Sequence, residues 1–191
     1  NFDWAPDGKS IVFDHKPDPK INTARWGYDI SLVAADSGAV KTLVDQAGSD
    51  RSPKFSPDGK NIAFISDGGQ PEPIGLGDIY LVSLKGGKIT AVPHTPNRSA
   101  NLQGWTKDGQ NLVFSETLKT SNTAMILPIG DVLSGQEGNG KARPLFPLEG
   151  TSGSSDYIPS SGAMAFVYQT PDQPAELYFK ASMEAKPKVL T

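Results

Sequence analysis

The chain has 191 residues and carries 18 basic against 21 acidic side chains, a net charge of −3. That balance gives no basic footprint for nucleic acid or an anionic membrane surface, and no apolar run reaches the ~18 residues of a membrane-spanning helix. Cysteine is absent, which removes disulfides, thiolate nucleophiles and Cys-ligated zinc.

The 20 glycines and 16 prolines suit many short strands joined by tight turns. Asn1-Phe-Asp-Trp4 lacks the basic-then-apolar pattern of a signal peptide. Freedom from thiols suits an exported bacterial protein, periplasmic or secreted, but does not fix the compartment.

The first element is Trp4-Ala-Pro-Asp-Gly-Lys-Ser-Ile-Val-Phe13. Asp-Gly is a hairpin signal, because glycine takes positive φ freely and aspartate tolerates it. The element therefore reads as strand, turn, strand. Residues 29–33 (Asp-Ile-Ser-Leu-Val) read as a third strand, and Ser37-Gly38 turns the chain into a fourth at 40–44. The pattern then starts again. Phe55-Ser-Pro-Asp-Gly-Lys-Asn-Ile-Ala-Phe64 is followed by Asp78-Ile-Tyr-Leu-Val82, a Gly86-Gly87 turn and residues 89–92. A third copy, Trp105-Thr-Lys-Asp-Gly-Gln-Asn-Leu-Val-Phe114, leads to residues 124–127 and, after an insertion at 129–140, to 144–146. The fourth is worn: Tyr157-Ile-Pro-Ser-Ser-Gly-Ala-Met-Ala-Phe166, then Glu176-Leu-Tyr-Phe-Lys180 and Leu190.

Four antiparallel strands repeated every ~50 residues is the pattern of a propeller blade. The predicted fold is all-β: a β-propeller segment of four four-stranded antiparallel blades, at roughly 1–48, 49–98, 99–151 and 152–191. A blade must bury both faces against its neighbours. Trp4, Phe55, Trp105 and Tyr157, with Phe13, Phe64, Phe114 and Phe166, are expected in that interblade core. Four blades can close a small ring or form half of a larger one, in which case the two outer blades expose apolar faces.

No catalytic constellation emerges, and neither a metal nor a cofactor is expected. Gly150-Thr-Ser-Gly-Ser154 departs from a nucleophile elbow in its last residue and reads as a loop, so Ser152 is not a nucleophile. His15 and His94 fall in different blades and read as surface loop residues, far from any serine–carboxylate pair. Gly8-Lys-Ser10 is a hairpin turn and not a phosphate loop, since its repeat reads Gly59-Lys-Asn61. Gly75-Leu-Gly77 precedes a strand, unlike a dinucleotide fingerprint. The carboxylates Asp67, Glu72, Asp78, Glu116, Glu137 and Asp156 show no standout pair. The segment before each aromatic is expected to line the central channel, which makes Arg51, Asn101, Gln103 and Asp156 the candidate binding residues, against the plainer reading of solvated polar positions. The 129–140 insertion reads either as a rim loop touching a partner domain or as an idle surface loop. Asn97-Arg-Ser99 matches a glycosylation sequon, a match expected by chance.

Ser56-Pro-Asp-Gly-Lys-Asn-Ile-Ala-Phe64 followed by Asp78-Ile-Tyr-Leu-Val82 resembles the repeat of TolB-like propellers and of the N-terminal propeller of prolyl oligopeptidase family serine peptidases. Phe166-Val-Tyr-Gln-Thr-Pro-Asp-Gln-Pro-Ala-Glu-Leu-Tyr178 with the Leu190-Thr191 ending is similar to the propeller's last part in acylaminoacyl- and dipeptidyl-peptidase-like members. The resemblance implies a ring of seven or eight blades over an α/β-hydrolase domain. Its expected partners are that domain, the remaining blades and peptide substrates. It also implies that the catalytic triad lies on a domain following this segment, leaving the segment itself to gate and dock substrates. The alternative is a TolB-like propeller acting as a protein–protein interaction module; a propeller with its own lyase or glycosidase site is the third reading.

Overall fold

A computed structural model describes residues 1–16, 27–70, 76–146 and 149–191. The chain forms four separate four-stranded sheets, each in simple sequential order. Blade one holds β1 (Phe2–Trp4), β2 (Ser10–His15), β3 (Asp29–Ala34) and β4 (Val40–Val44). Blade two holds β5 (Asp50–Phe55), β6 (Asn61–Ser66), β7 (Asp78–Ser83) and β8 (Thr90–Ala91). Blade three holds β9 (Asn101–Trp105), β10 (Asn111–Leu118), β11 (Ser121–Pro128) and β12 (Arg143–Pro144), with a single helical turn, α1 (Gly130–Leu133), before the last strand. Blade four holds β13 (Thr151–Ile158), β14 (Ala163–Thr170), β15 (Gln173–Lys180) and β16 (Lys188–Val189). All pairings between named strands are antiparallel.

The first hairpin explains the repeated Ser/Thr-x-Asp-Gly. Gly8, Gly59 and Gly109 stand at φ of 70°, 67° and 70°, a conformation that glycine adopts without a β-carbon clash. Each donates its N–H to the carbonyl three residues back, at Ala5, Ser56 and Thr106. The aspartate before each glycine accepts the N–H two residues on: Lys9, Lys60 and Gln110, at 3.0–3.1 Å. Where a hydroxyl opens the turn it donates to the same carboxylate, Ser56 to Asp58 at 2.7 Å and Thr106 to Asp108 at 2.6 Å. That hydroxyl is the main reason both carboxyls sit below the ordinary aspartate range. Asp58→Ala is expected to cost about 1 kcal/mol in urea unfolding, since it frees a turn N–H and a hydroxyl at a largely exposed site.

Three apolar clusters, one per interblade seam, form the core. Alternate residues of each second strand point to opposite seams, as the period of two requires. Ile62 and Phe64 pack with Val12, Ile30 and Val44 of blade one. Ala63 and Ile65, on the other face, join Trp105, Leu112 and Phe114 of blade three. Val113 turns to blade four, where Tyr157, Met164 and Phe166 lie. The run Ile62-Ala-Phe-Ile65 is continuously apolar because its blade is covered on both sides.

The repeat's aromatics mark the face turned to the preceding blade. Phe55, Phe64, Trp105, Phe114, Tyr157 and Phe166 are buried there as expected. Trp4 and Phe13 correct the expectation: Trp4 is 52% exposed and Phe13 only half-buried. Their face of blade one has no neighbour among the described residues. Phe2 and Val40 on blade one, and Ile158, Leu177, Val189 and Leu190 on blade four, are exposed as well. Both outer blades thus present apolar surface.

Candidate functional site

The first strands β1, β5, β9 and β13 stand side by side in chain order, and cross-links join each to the next. The Phe55 N–H donates to Asp3 Oδ2 (2.8 Å), Trp105 Nε1 donates to the Lys54 carbonyl (3.1 Å), and Tyr157 Oη donates to the Trp105 carbonyl (3.2 Å). Burial pushes the Tyr157 hydroxyl's pKa up to about 12, so it remains a donor throughout the physiological range.

Three of the four candidate channel residues occupy one repeated position or a blade junction. Arg51 and Asn101 are equivalent, each four residues before its blade's aromatic; Arg51 pairs across the sheet with Ile65 and Asn101 with Ser115. Asn101 is exposed and Arg51 half-buried. Gln103 lies two residues nearer the turn. Its Nε2 donates to Ser155 Oγ of blade four at 2.6 Å, so this side chain ties two first strands together. Asp156 is exposed on β13, opposite Ala165, one residue before its aromatic. Measured on the paired second strands, two residues separate that level from the level of Arg51 and Asn101, roughly 7 Å along the strands. The structure therefore places Arg51 and Asn101 at one level and Asp156 at another. All three first strands kink here: the pairing register shifts between Arg51 and Lys54, Val113 and Phe114, and Ser152 and Ser155. Ser52 takes φ of 55° at the first of these bulges.

Three of the carboxylates that looked scattered in sequence, Asp67, Asp78 and Glu116, lie with Asp50 where each blade hands over to the next. There, Asp50 N donates to the Tyr28 carbonyl and Gly77 N to the Arg98 carbonyl, making parallel bridges between blades. Asp67 accepts the Ser49 N–H at 3.0 Å and Glu116 the Ser99 N–H at 2.9 Å, the same task in successive repeats. Glu116 also accepts the Thr95 hydroxyl at 2.7 Å. Buried Asp78 binds Arg98 Nε at 2.8 Å and His94 Nδ1 at 3.0 Å. Asp50, fully buried, accepts from Gln46 Nε2 at 2.8 Å, and its pKa is pushed up to about 6, chiefly by burial. These acids are clasps on the interblade connections. The role of Asp67 and Glu116 has no sequence signature because their partner is a main-chain N–H, and Asp78 meets Arg98 and His94 only through the fold. The repeated Ser49 and Ser99, each six residues before an aromatic, were the available signal. Glu72 and Gly75 lie outside the described residues.

Three smaller readings change. Ser152 is not in a loop: it is buried in β13 and its Oγ donates to the Asn122 carbonyl at 2.9 Å. His15 ends β2, half-buried, with Nε2 2.9 Å from Ser31 Oγ. The 129–140 insertion folds back on the core, burying Ile129 and Val132, and Gly138 fits so closely that an added β-carbon would stand 2.9 Å from Pro93. Asn97 of the sequon donates through Nδ2 to the Thr117 carbonyl.

No family model matches the chain. Over 119 residues it is 31% identical to dipeptidyl-peptidase 5 of Porphyromonas gingivalis, a match covering 60% of this chain and 17% of that protein. In structure the whole chain matches TolB from Acinetobacter baumannii, over 43% of that chain, at TM-score 0.72 and 18% identity. It also matches the acylaminoacyl peptidase of Pyrococcus horikoshii, over 26% of that chain, at TM-score 0.65 and 16% identity. The chain therefore spans less than half the length of each. It is a stretch of β-propeller whose fold matches both TolB and peptidases of the prolyl oligopeptidase type.

Proposed function

We propose that this chain is part of the propeller of a prolyl oligopeptidase family serine peptidase, where it gates and docks peptide substrates for an α/β-hydrolase domain. The observation that carries this is the 31% identity to a dipeptidyl-peptidase over 119 residues. The open apolar faces of blades one and four support it, being the surfaces that further blades of one ring would cover. On this reading Arg51, Asn101, Gln103 and Asp156 belong to first strands lining the central channel. They present hydrogen-bonding groups and charge to a passing peptide, while catalysis takes place elsewhere.

The rival is a TolB-like interaction propeller without a hydrolase, favoured by the structural match to TolB at TM-score 0.72. The two part company in one experiment. The native polypeptide carrying this sequence is treated with a fluorophosphonate and its denatured mass is measured. The peptidase reading expects a mass tens of kilodaltons above the 20.3 kDa of these residues and a single labelled serine outside them. A polypeptide that takes up no label overturns it in favour of the interaction module.

A further inference from the structure

The interblade seams end in cavities on the Asp-Gly hairpin face, and their sizes differ. The first and second hold about 190 and 300 Å³, the third about 720 Å³. The difference starts in the repeat. In the first two seams the turn proline of one blade packs on the turn glycine of the next. A β-carbon on Gly59 would stand 3.6 Å from Pro6, and one on Gly109 would stand 3.7 Å from Pro57. Blade three has Lys107 where the others have proline, and Gly162 of blade four packs on Met183 of its own blade instead. The wedge is missing and the seam stands open.

The opened cavity is lined by Lys107, Arg143 and Lys180. Lys180 is only 7% exposed, unusual for a lysine, and its Nζ makes one hydrogen bond, to the Met183 carbonyl at 2.8 Å. An ammonium has three donors, so two remain, although the same Nζ also stands 5.6 Å over the Phe146 ring. Burial draws its pKa below the ordinary lysine value. Among the described residues none of the three cations has a carboxylate within salt-bridge distance. The two acids lining the same cavity are hydrogen-bonded locally, Asp108 by Thr106 and Gln110 and Glu184 by Ser182; the Glu184 charge reaches Lys180, and three cations against two acids leave the cavity net positive. Net positive charge, a poorly solvated ammonium with spare donors and a volume typical of small-ligand sites converge there.

We infer that the seam between blades three and four is a binding site for a small organic carboxylate, created by the replacement of the repeat's turn proline by Lys107 and held by Lys180 and Arg143. The site lies between two blades of this chain, at the hairpin end of their sheets, and it does not depend on the function proposed above.

The test is a titration of the isotope-labelled protein with succinate, and separately with uncharged succinamide, followed by backbone amide shifts. Succinate is expected to give saturable shifts confined to residues near Ser161, Gly162 and Lys180, and succinamide none. Arg143→Gln changes an exposed side chain and is expected to weaken succinate about tenfold, the loss of one charge-assisted contact. Lys107→Pro restores the repeat's own sequence and is expected to abolish the shifts while the amide spectrum of blade one, which Lys107 does not touch, stays unchanged. Equal response to succinate and succinamide, or undiminished binding in Arg143→Gln, overturns the inference.

Discussion

Replacing Phe64 by alanine is expected to destabilise the protein by about 3–5 kcal/mol, read as a lowered urea midpoint at unchanged slope. The side chain is 0% exposed and lies where two blades meet, against Val12, Ile30 and Val44 from one side and Phe55, Ile62 and Val82 from its own sheet. Its ring stands 6.1 Å from that of Tyr80, tilted by 31°. The void cannot collapse easily, because both walls are sheets whose spacing is set by main-chain bonds such as Asp50 N to Tyr28 O. The equivalent change on blade one, Phe13→Ala, is expected to cost distinctly less. Phe13 is only half-buried, since its face meets no further blade among the described residues. Equal losses at the two positions would mean that Phe64 is not held between blades as described.

The same asymmetry shows what could be read from sequence. The hairpins were legible because their chemistry is local: Asp-Gly forces positive φ and the aspartate folds back on its own turn. The fourfold repeat with its aromatics gave the blade, and alternation gave the faces. What stayed hidden depends on neighbours that a local pattern does not reveal. Trp4 carries the same signal as Trp105, yet one is half-exposed and the other buried. Ser152 looked like loop because Gly150-Thr-Ser-Gly-Ser154 is poor in apolar residues, but it pairs with Tyr168 beside a bulge in the ladder. The candidate channel residues were chosen by position in the repeat. The structure adds that Gln103 is bonded across a blade boundary and that Asp156 sits at a different height from Arg51 and Asn101.

The buried clasp acids carry the second large effect, and it depends on pH. Asp50 is 0% exposed; one carboxylate oxygen accepts from Gln46 and the other, Oδ2, has no partner. Burial raises its pKa from 3.8 to about 6 against the opposing hydrogen bonds of Ser66 and Gln46, with the charges of Asp67 and Asp29 adding to the rise. Between those two values the folded protein holds a proton that the unfolded chain has released. Stability from this group is therefore present at low pH, falls as pH rises through that window and stays low above it. Asparagine at this site keeps the acceptor for Gln46 and carries no charge to bury. Asp50→Asn is thus expected to be more stable than the parent by about 1–2 kcal/mol at pH 8, within a ceiling of about 3 kcal/mol. The advantage should shrink as pH falls below 6 and vanish near pH 4. Paired urea titrations of parent and variant at pH 8, 6 and 4 measure the difference, in which the titrating groups not coupled to Asp50 cancel. An advantage constant across the three would place the cause in packing. A variant weaker than the parent at pH 8 would mean that the ionised carboxylate holds the connection between blades one and two.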